Sequence, residues 1–75
     1  MEPYKNVHGD SPISAFEIES TYIDVQFGAN VYRYSHVTPG RAHVERMKEL
    51  ARTGSGLAAY ISSNIYGYEI KRRDH

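Results

Sequence analysis

Apolar and polar residues alternate from Ile13 onward. In ISAFEIE, Phe16 and Ile18 take turns with Ala15, Glu17 and Glu19, a period that predicts a strand with its glutamates in solvent. Ser20-Thr21 interrupts the pattern, and Tyr22 to Phe27 resumes it, with Ile23, Val25 and Phe27 inward and Asp24 and Gln26 outward. Gly28-Ala29-Asn30 tolerates the left-handed backbone of a tight hairpin, so Val31 to His36 is predicted to return as a third strand. The three strands form an antiparallel β-meander.

The period then lengthens. In GRAHVERMKELARTG, Val44, Met47, Leu50 and Ala51 fall at helical spacing, while Arg41, Glu45, Arg46, Lys48, Glu49 and Arg52 cover the remaining circumference. Thr38 is the expected N-cap, Pro39 suits the first turn, and Val37 stands where a hydrophobic staple would start. Gly54 is the expected C-cap and Ser55 the N-cap of a second, shorter helix with Leu57, Tyr60, Ile61 and Ile65 on its buried side. Tyr66, Tyr68 and Ile70 alternate again and predict a short C-terminal strand. The fold class is therefore α+β: three strands, two helices and that short strand. Phe27 and Leu50 are expected in the core.

Composition narrows the picture further. A chain of 75 residues is one domain, near the size at which folding buries only about 60% of the unfolded surface. Residues 1–11 mix Pro, Asn, His, Gly, Asp and Ser with isolated aromatics, and are expected to be a flexible N-terminal segment outside the core. The folded domain is expected over 12–70, and 71–75 reads as a basic, frayed tail. Cysteine is absent, which leaves no disulfide or thiolate zinc site. With no basic segment followed by an apolar one and no long apolar run, a membrane partner is not expected and a cytoplasmic location is. Net charge is zero, but residues 1–40 carry −3 and residues 41–75 carry +3. Such a dipolar chain lacks the global excess of cations behind strong nonspecific nucleic-acid affinity, yet it leaves room for a local basic patch.

The order of parts resembles a known family. A strand with I…F-x-I, a strand with I-x-V-x-F, a Gly-containing hairpin, Tyr32-Arg33-Tyr34, Val37, a helix, and Gly-Ser-Gly-Leu leading to Tyr60-Ile61 are similar to the KTSC domain. That small module occurs alone in bacterial and phage-related proteins and at the C-terminus of some lysyl-tRNA synthetases. The likeness runs from about Ile13 to about Tyr68, with Tyr32-x-Tyr34 as its central motif. It departs from the family at the second helix, where Ser-x-Gly-x-Tyr-Phe-Asn is replaced by Thr53-Gly54-Ser55-Gly56-Leu57-Ala58-Ala59-Tyr60. The resemblance implies a module without catalytic residues, with RNA as a suggested ligand.

Tyr32 and Tyr34, two apart on a strand, share a face, and Arg33 takes the opposite one. Two readings of that face stand side by side. The tyrosines stack exposed RNA bases, each stack being worth roughly 1 to 3 kcal/mol, or they pack on the helices with only their hydroxyls at the rim. Arg33 is a candidate RNA contact beside these tyrosines, although a cross-strand pair with Asp24 or Gln26 is expected of it sooner than a phosphate contact. Arg41, Arg46, Lys48 and Arg52 make the first helix the basic surface an RNA would meet, although Glu45 and Glu49 interrupt it. The histidines and carboxylates have no metal-ligand spacing, the serines have no Asp–His partner, and Gly54-Ser55-Gly56 lacks the lysine of a phosphate loop. No cofactor, metal or catalysis is expected. The partner is then RNA, or another protein or a second copy docking on the sheet edge or the tyrosine-bearing surface.

Overall fold

A computed structural model describes residues 1–73 of the chain. The elements follow in the order β1 (Glu2–Pro3), β2 (Ile13–Ile18), β3 (Tyr22–Phe27), β4 (Asn30–Ser35), α1 (Arg41–Thr53), α2 (Leu57–Asn64) and β5 (Ile70–Arg73). The class is α+β as expected, but among the described residues the meander has five strands in the order β1-β2-β3-β4-β5, every pair antiparallel. β3 occupies the span its alternation predicts. Between β3 and β4, Phe27 faces Asn30 across a two-residue loop whose first member, Gly28, has φ 58°, the placement that lets a short hairpin follow the strand twist.

Register sorts the side chains into two faces. Phe16, Val25 and Tyr32 lie in one row across β2, β3 and β4, with Ile18, Ile23 and Tyr34 in the next but one. This face carries the helices: α1 lies on β3 and β4, α2 packs against α1, and Val44, Met47, Ala51 and Leu57 close the core over Ile23 and Val25. Burying these side chains is what folds the domain, at roughly 25 cal/mol for each Å² of apolar surface removed from water. Phe27 and Leu50 pack at the margin of this cluster rather than at its centre.

The N-terminal segment corrects the expectation that residues 1–11 lie outside the core. Tyr4 is only 6% exposed and meets Phe16 edge to face at 6.5 Å. Its hydroxyl accepts a hydrogen bond from the Leu57 N–H at the start of α2, while its own N–H donates to the Ser14 carbonyl. Beyond it, the Val7 N–H donates to the Gly54 carbonyl, and the Asn6 side chain exchanges two hydrogen bonds with the Ser11 backbone. A single aromatic anchors the segment, and one residue has no periodicity for a sequence pattern to reveal.

Both helix starts differ from the expected caps. Gly40, not Thr38, is the N-cap of α1, and Gly56, not Ser55, is that of α2; neither makes a side-chain cap. The Ser35 hydroxyl instead accepts from the Val37 and Thr38 N–H groups and shapes the turn out of β4, which leaves Val37 86% exposed and unable to staple the helix. Gly54 is the C-cap foreseen, in the left-handed region at φ 78°, its N–H donating to the Leu50 carbonyl. A side chain there would collide with Lys5, so the C-cap also leaves space for the N-terminal segment. The basic tail is corrected as well: Lys71 to Arg73 belong to β5, paired with Tyr32 to Asn30, while Asp74 and His75 lie outside the described residues.

Candidate functional site

β5 begins later than the Tyr66–Tyr68–Ile70 alternation predicts, because Tyr68 is drawn into an aromatic cluster. The Tyr32 ring stacks near-parallel on Tyr34 at 6.4 Å and meets Phe27 and Tyr68 edge to face at 5.6 Å and 4.9 Å. With Tyr68 so held, the Glu69 N–H donates to the Arg33 carbonyl and the chain enters the sheet at Ile70, opposite Arg33. All four residues of β5 are exposed, and the strand forms one edge of the sheet. Each alternate residue of such an edge turns its N–H and C=O away from its neighbour, towards solvent.

The outer face of the sheet, opposite the helices, explains how β5 is held. Asp24 on β3 is only 1% exposed. Its carboxylate accepts from Arg33 Nε at 2.9 Å and Arg33 Nη2 at 3.1 Å, and also from Arg72 Nη2 at 3.1 Å. The forked pairing matches the planar guanidinium to both oxygens. Arg33 also lies 3.8 Å over the Tyr22 ring, and Asp24 holds its guanidinium protonated beyond its ordinary range. Val31, fully buried on this face, sits between Gln26 and Arg72. Arg72 therefore fastens the edge strand to the third strand of the sheet.

The structure separates the seven residues singled out as an RNA surface. Tyr34 is buried at 4% exposure, and its hydroxyl is pushed up to about 12, first by burial and then by Tyr32 and Tyr68. Tyr32 is half-buried among other rings. Tyr34 is therefore part of the core and Tyr32 packs against it, on the face that the helices cover. Arg33 pairs with Asp24, one of the two cross-strand partners expected of it. Lys48 is corrected too: it is buried, and its ammonium donates to the Ser20 carbonyl at 3.1 Å and to Glu45 at 2.8 Å, tying α1 to the β2–β3 turn. Glu45, hydrogen-bonded by Lys48 and by His36, is pushed down to about 2. Arg46 pairs with Glu49 at 3.2 Å. Arg41 and Arg52 are exposed on α1 and have no partner among the described residues.

A surface cavity of about 340 Å³ lies between the loop carrying His8, Asp10 and Ser11 and the start of α2 at Ser55 and Gly56. Among the described residues, no three His, Cys, Asp or Glu side chains are grouped to hold a metal ion, and no helix is long and apolar enough to cross a membrane. The participation of Arg72 and Tyr68 was not legible in the sequence. Only the period of IKRR, which sends Arg72 to the same face as Ile70, could have hinted at it. Comparison with known proteins gives no match: no protein-family model, no curated protein and no solved structure matches the chain.

Proposed function

We propose that the chain is a non-catalytic binding module that takes an extended polypeptide segment as an added strand along β5. The observation that carries this reading is the edge itself: four consecutive exposed residues in strand geometry at the rim of the sheet. Strand addition draws affinity from main-chain hydrogen bonds to such a rim, and selectivity from the side chains on either side of it. Arg72 and the Tyr32–Tyr68 contact support it by holding β5 in register before any partner arrives, so that a partner need not order it.

RNA is the second reading, favoured by Arg41 and Arg52, exposed on α1 and without a partner among the described residues, and by the KTSC resemblance. It rests on fewer residues than the spacing implied, since Tyr34 is buried and Arg33, Arg46 and Lys48 have protein partners. Two amide chemical-shift titrations of the full chain separate the readings. An extended octapeptide is expected to shift Ile70 to Arg73 and their β4 partners, whereas a decauridylate at physiological salt leaves the spectrum unchanged. Shifts spreading from Arg41 and Arg52 on adding decauridylate, with steep salt dependence and no response to the peptide, would replace this reading with the nucleic-acid one.

A further inference from the structure

Resting on the strand-addition reading, we propose that the segment β5 accepts is acidic, alternating carboxylate with apolar side chains. Successive residues of a strand point to opposite faces, so Lys71 and Arg73 share the helix side of the edge while Ile70 and Arg72 share the outer side. Arg72 already serves Asp24. The outer side therefore offers Ile70, 42% exposed, as its free contact. On the helix side, the Lys71 ammonium lies 5.5 Å over the Tyr32 ring, and Arg73 has no partner among the described residues. An added strand sets its side chains beside those of β5 on each face, where opposite charges attract and like charges repel. Carboxylates then fall beside Lys71 and Arg73, and apolar side chains beside Ile70.

The same charges argue against a second copy as the occupant. Two β5 strands paired about a two-fold axis would set the basic run Lys71–Arg73 of one copy against the same run of the other. On the opposite rim, β1 is just the two residues Glu2–Pro3 among those described, and proline has no N–H to donate. The basic edge thus repels its own kind and admits an acidic strand, which combines protection from edge-to-edge aggregation with selection of a partner.

The test uses the full chain with two fluorescent octapeptides, one alternating Val and Glu and one alternating Val and Lys, read by anisotropy at low salt and by amide shifts. The Val–Glu peptide is expected to bind at β5 roughly tenfold more tightly than the Val–Lys peptide, as two partly exposed ion pairs allow. In the double variant K71E/R73E the preference is expected to reverse; both side chains are exposed, and circular dichroism checks that the fold is kept. If the double variant loses its fold, R73E alone is expected to erase most of the preference. Equal binding of both peptides at β5 would overturn the acidic partner and leave strand addition standing. Absence of binding by either peptide would remove both. A decauridylate that bound β5 and was lost in K71E/R73E would overturn the inference in favour of a phosphate-binding edge.

Discussion

The two rims of the sheet are built differently. β1 is two residues long, contains a proline, and runs straight into a segment pinned by Tyr4 in the core and by the Val7–Gly54 hydrogen bond. β5 is four residues long, has no proline and lies exposed, fastened through Arg72 on one face and beside Tyr68 on the other. A short strand with proline is a blunted edge, whereas a longer regular strand is a template for pairing. The difference teaches that availability for pairing is unequal at the ends of one sheet although both rims are exposed: β1 is closed by its shortness, its proline and the pinned segment beyond it, and β5 stays open over four residues.

The closed rim can be broken first, and with the largest effect. Tyr4→Ala removes a buried ring between β2 and α2 and is expected to cost about 3 to 5 kcal/mol. In a domain of this size that approaches the whole stability. Urea denaturation measures it; an unmoved midpoint would mean that the β1 segment does not anchor the fold.

The outer-face ion cluster ranks next. Arg33→Met leaves the buried Asp24 with Arg72 as its remaining arginine and is expected to cost about 3 kcal/mol. Arg72→Met keeps the forked Arg33 pair and is expected to cost about 1 kcal/mol, with the loss concentrated in β5. The comparison sharpens if amide exchange in Arg72→Met rises at Ile70 to Arg73 and stays unchanged at β1. Equal stability losses for the two variants would show that Asp24 does not distinguish centre from edge.

How much of this was legible in the sequence depends on the length of each pattern. Six residues of alternation were enough to predict β3, and thirteen of helical period enough for α1, which ends at the glycine cap foreseen for it. Asp24 was legible as one of two partners for Arg33, with Gln26 the other, and the register across the hairpin decides for Asp24. β1 was not legible because two residues carry no period, and Tyr4 because its partners lie far along the chain at Phe16 and Leu57. That Tyr32 and Tyr34 share a face was readable; that the helices cover this face was a matter of packing, decided by where α1 lies. Arg72 reaches Asp24 across 48 positions, a distance over which spacing conveys nothing.

The smallest expected effect lies away from both rims and serves as their control. The Glu45 carboxyl is pushed down to about 2 by Lys48 and His36, against an ordinary value of 4.5. Its native pKa is below its unfolded one, so the carboxylate stabilises the fold above about pH 4.5 and that contribution disappears as the pH falls towards 2. Glu45→Gln is expected to flatten this part of the stability profile, read as the urea midpoint between pH 5 and pH 2.5. Because the carboxylate is largely in solvent, the change is expected to be smaller than either ion-pair variant gives. A variant profile as steep as that of the parent would assign the acid sensitivity to other carboxylates.

The central claim is that β5 is an open rim and β1 a closed one. Residue-resolved hydrogen exchange of the full chain, with and without the Val–Glu octapeptide, tests it most directly. The account predicts that the outward-facing amides of β5 exchange freely alone and become protected when the peptide is added, with exchange at β1 and α1 unchanged. Protection appearing at β1, or nowhere in the sheet while the peptide is bound, would contradict it.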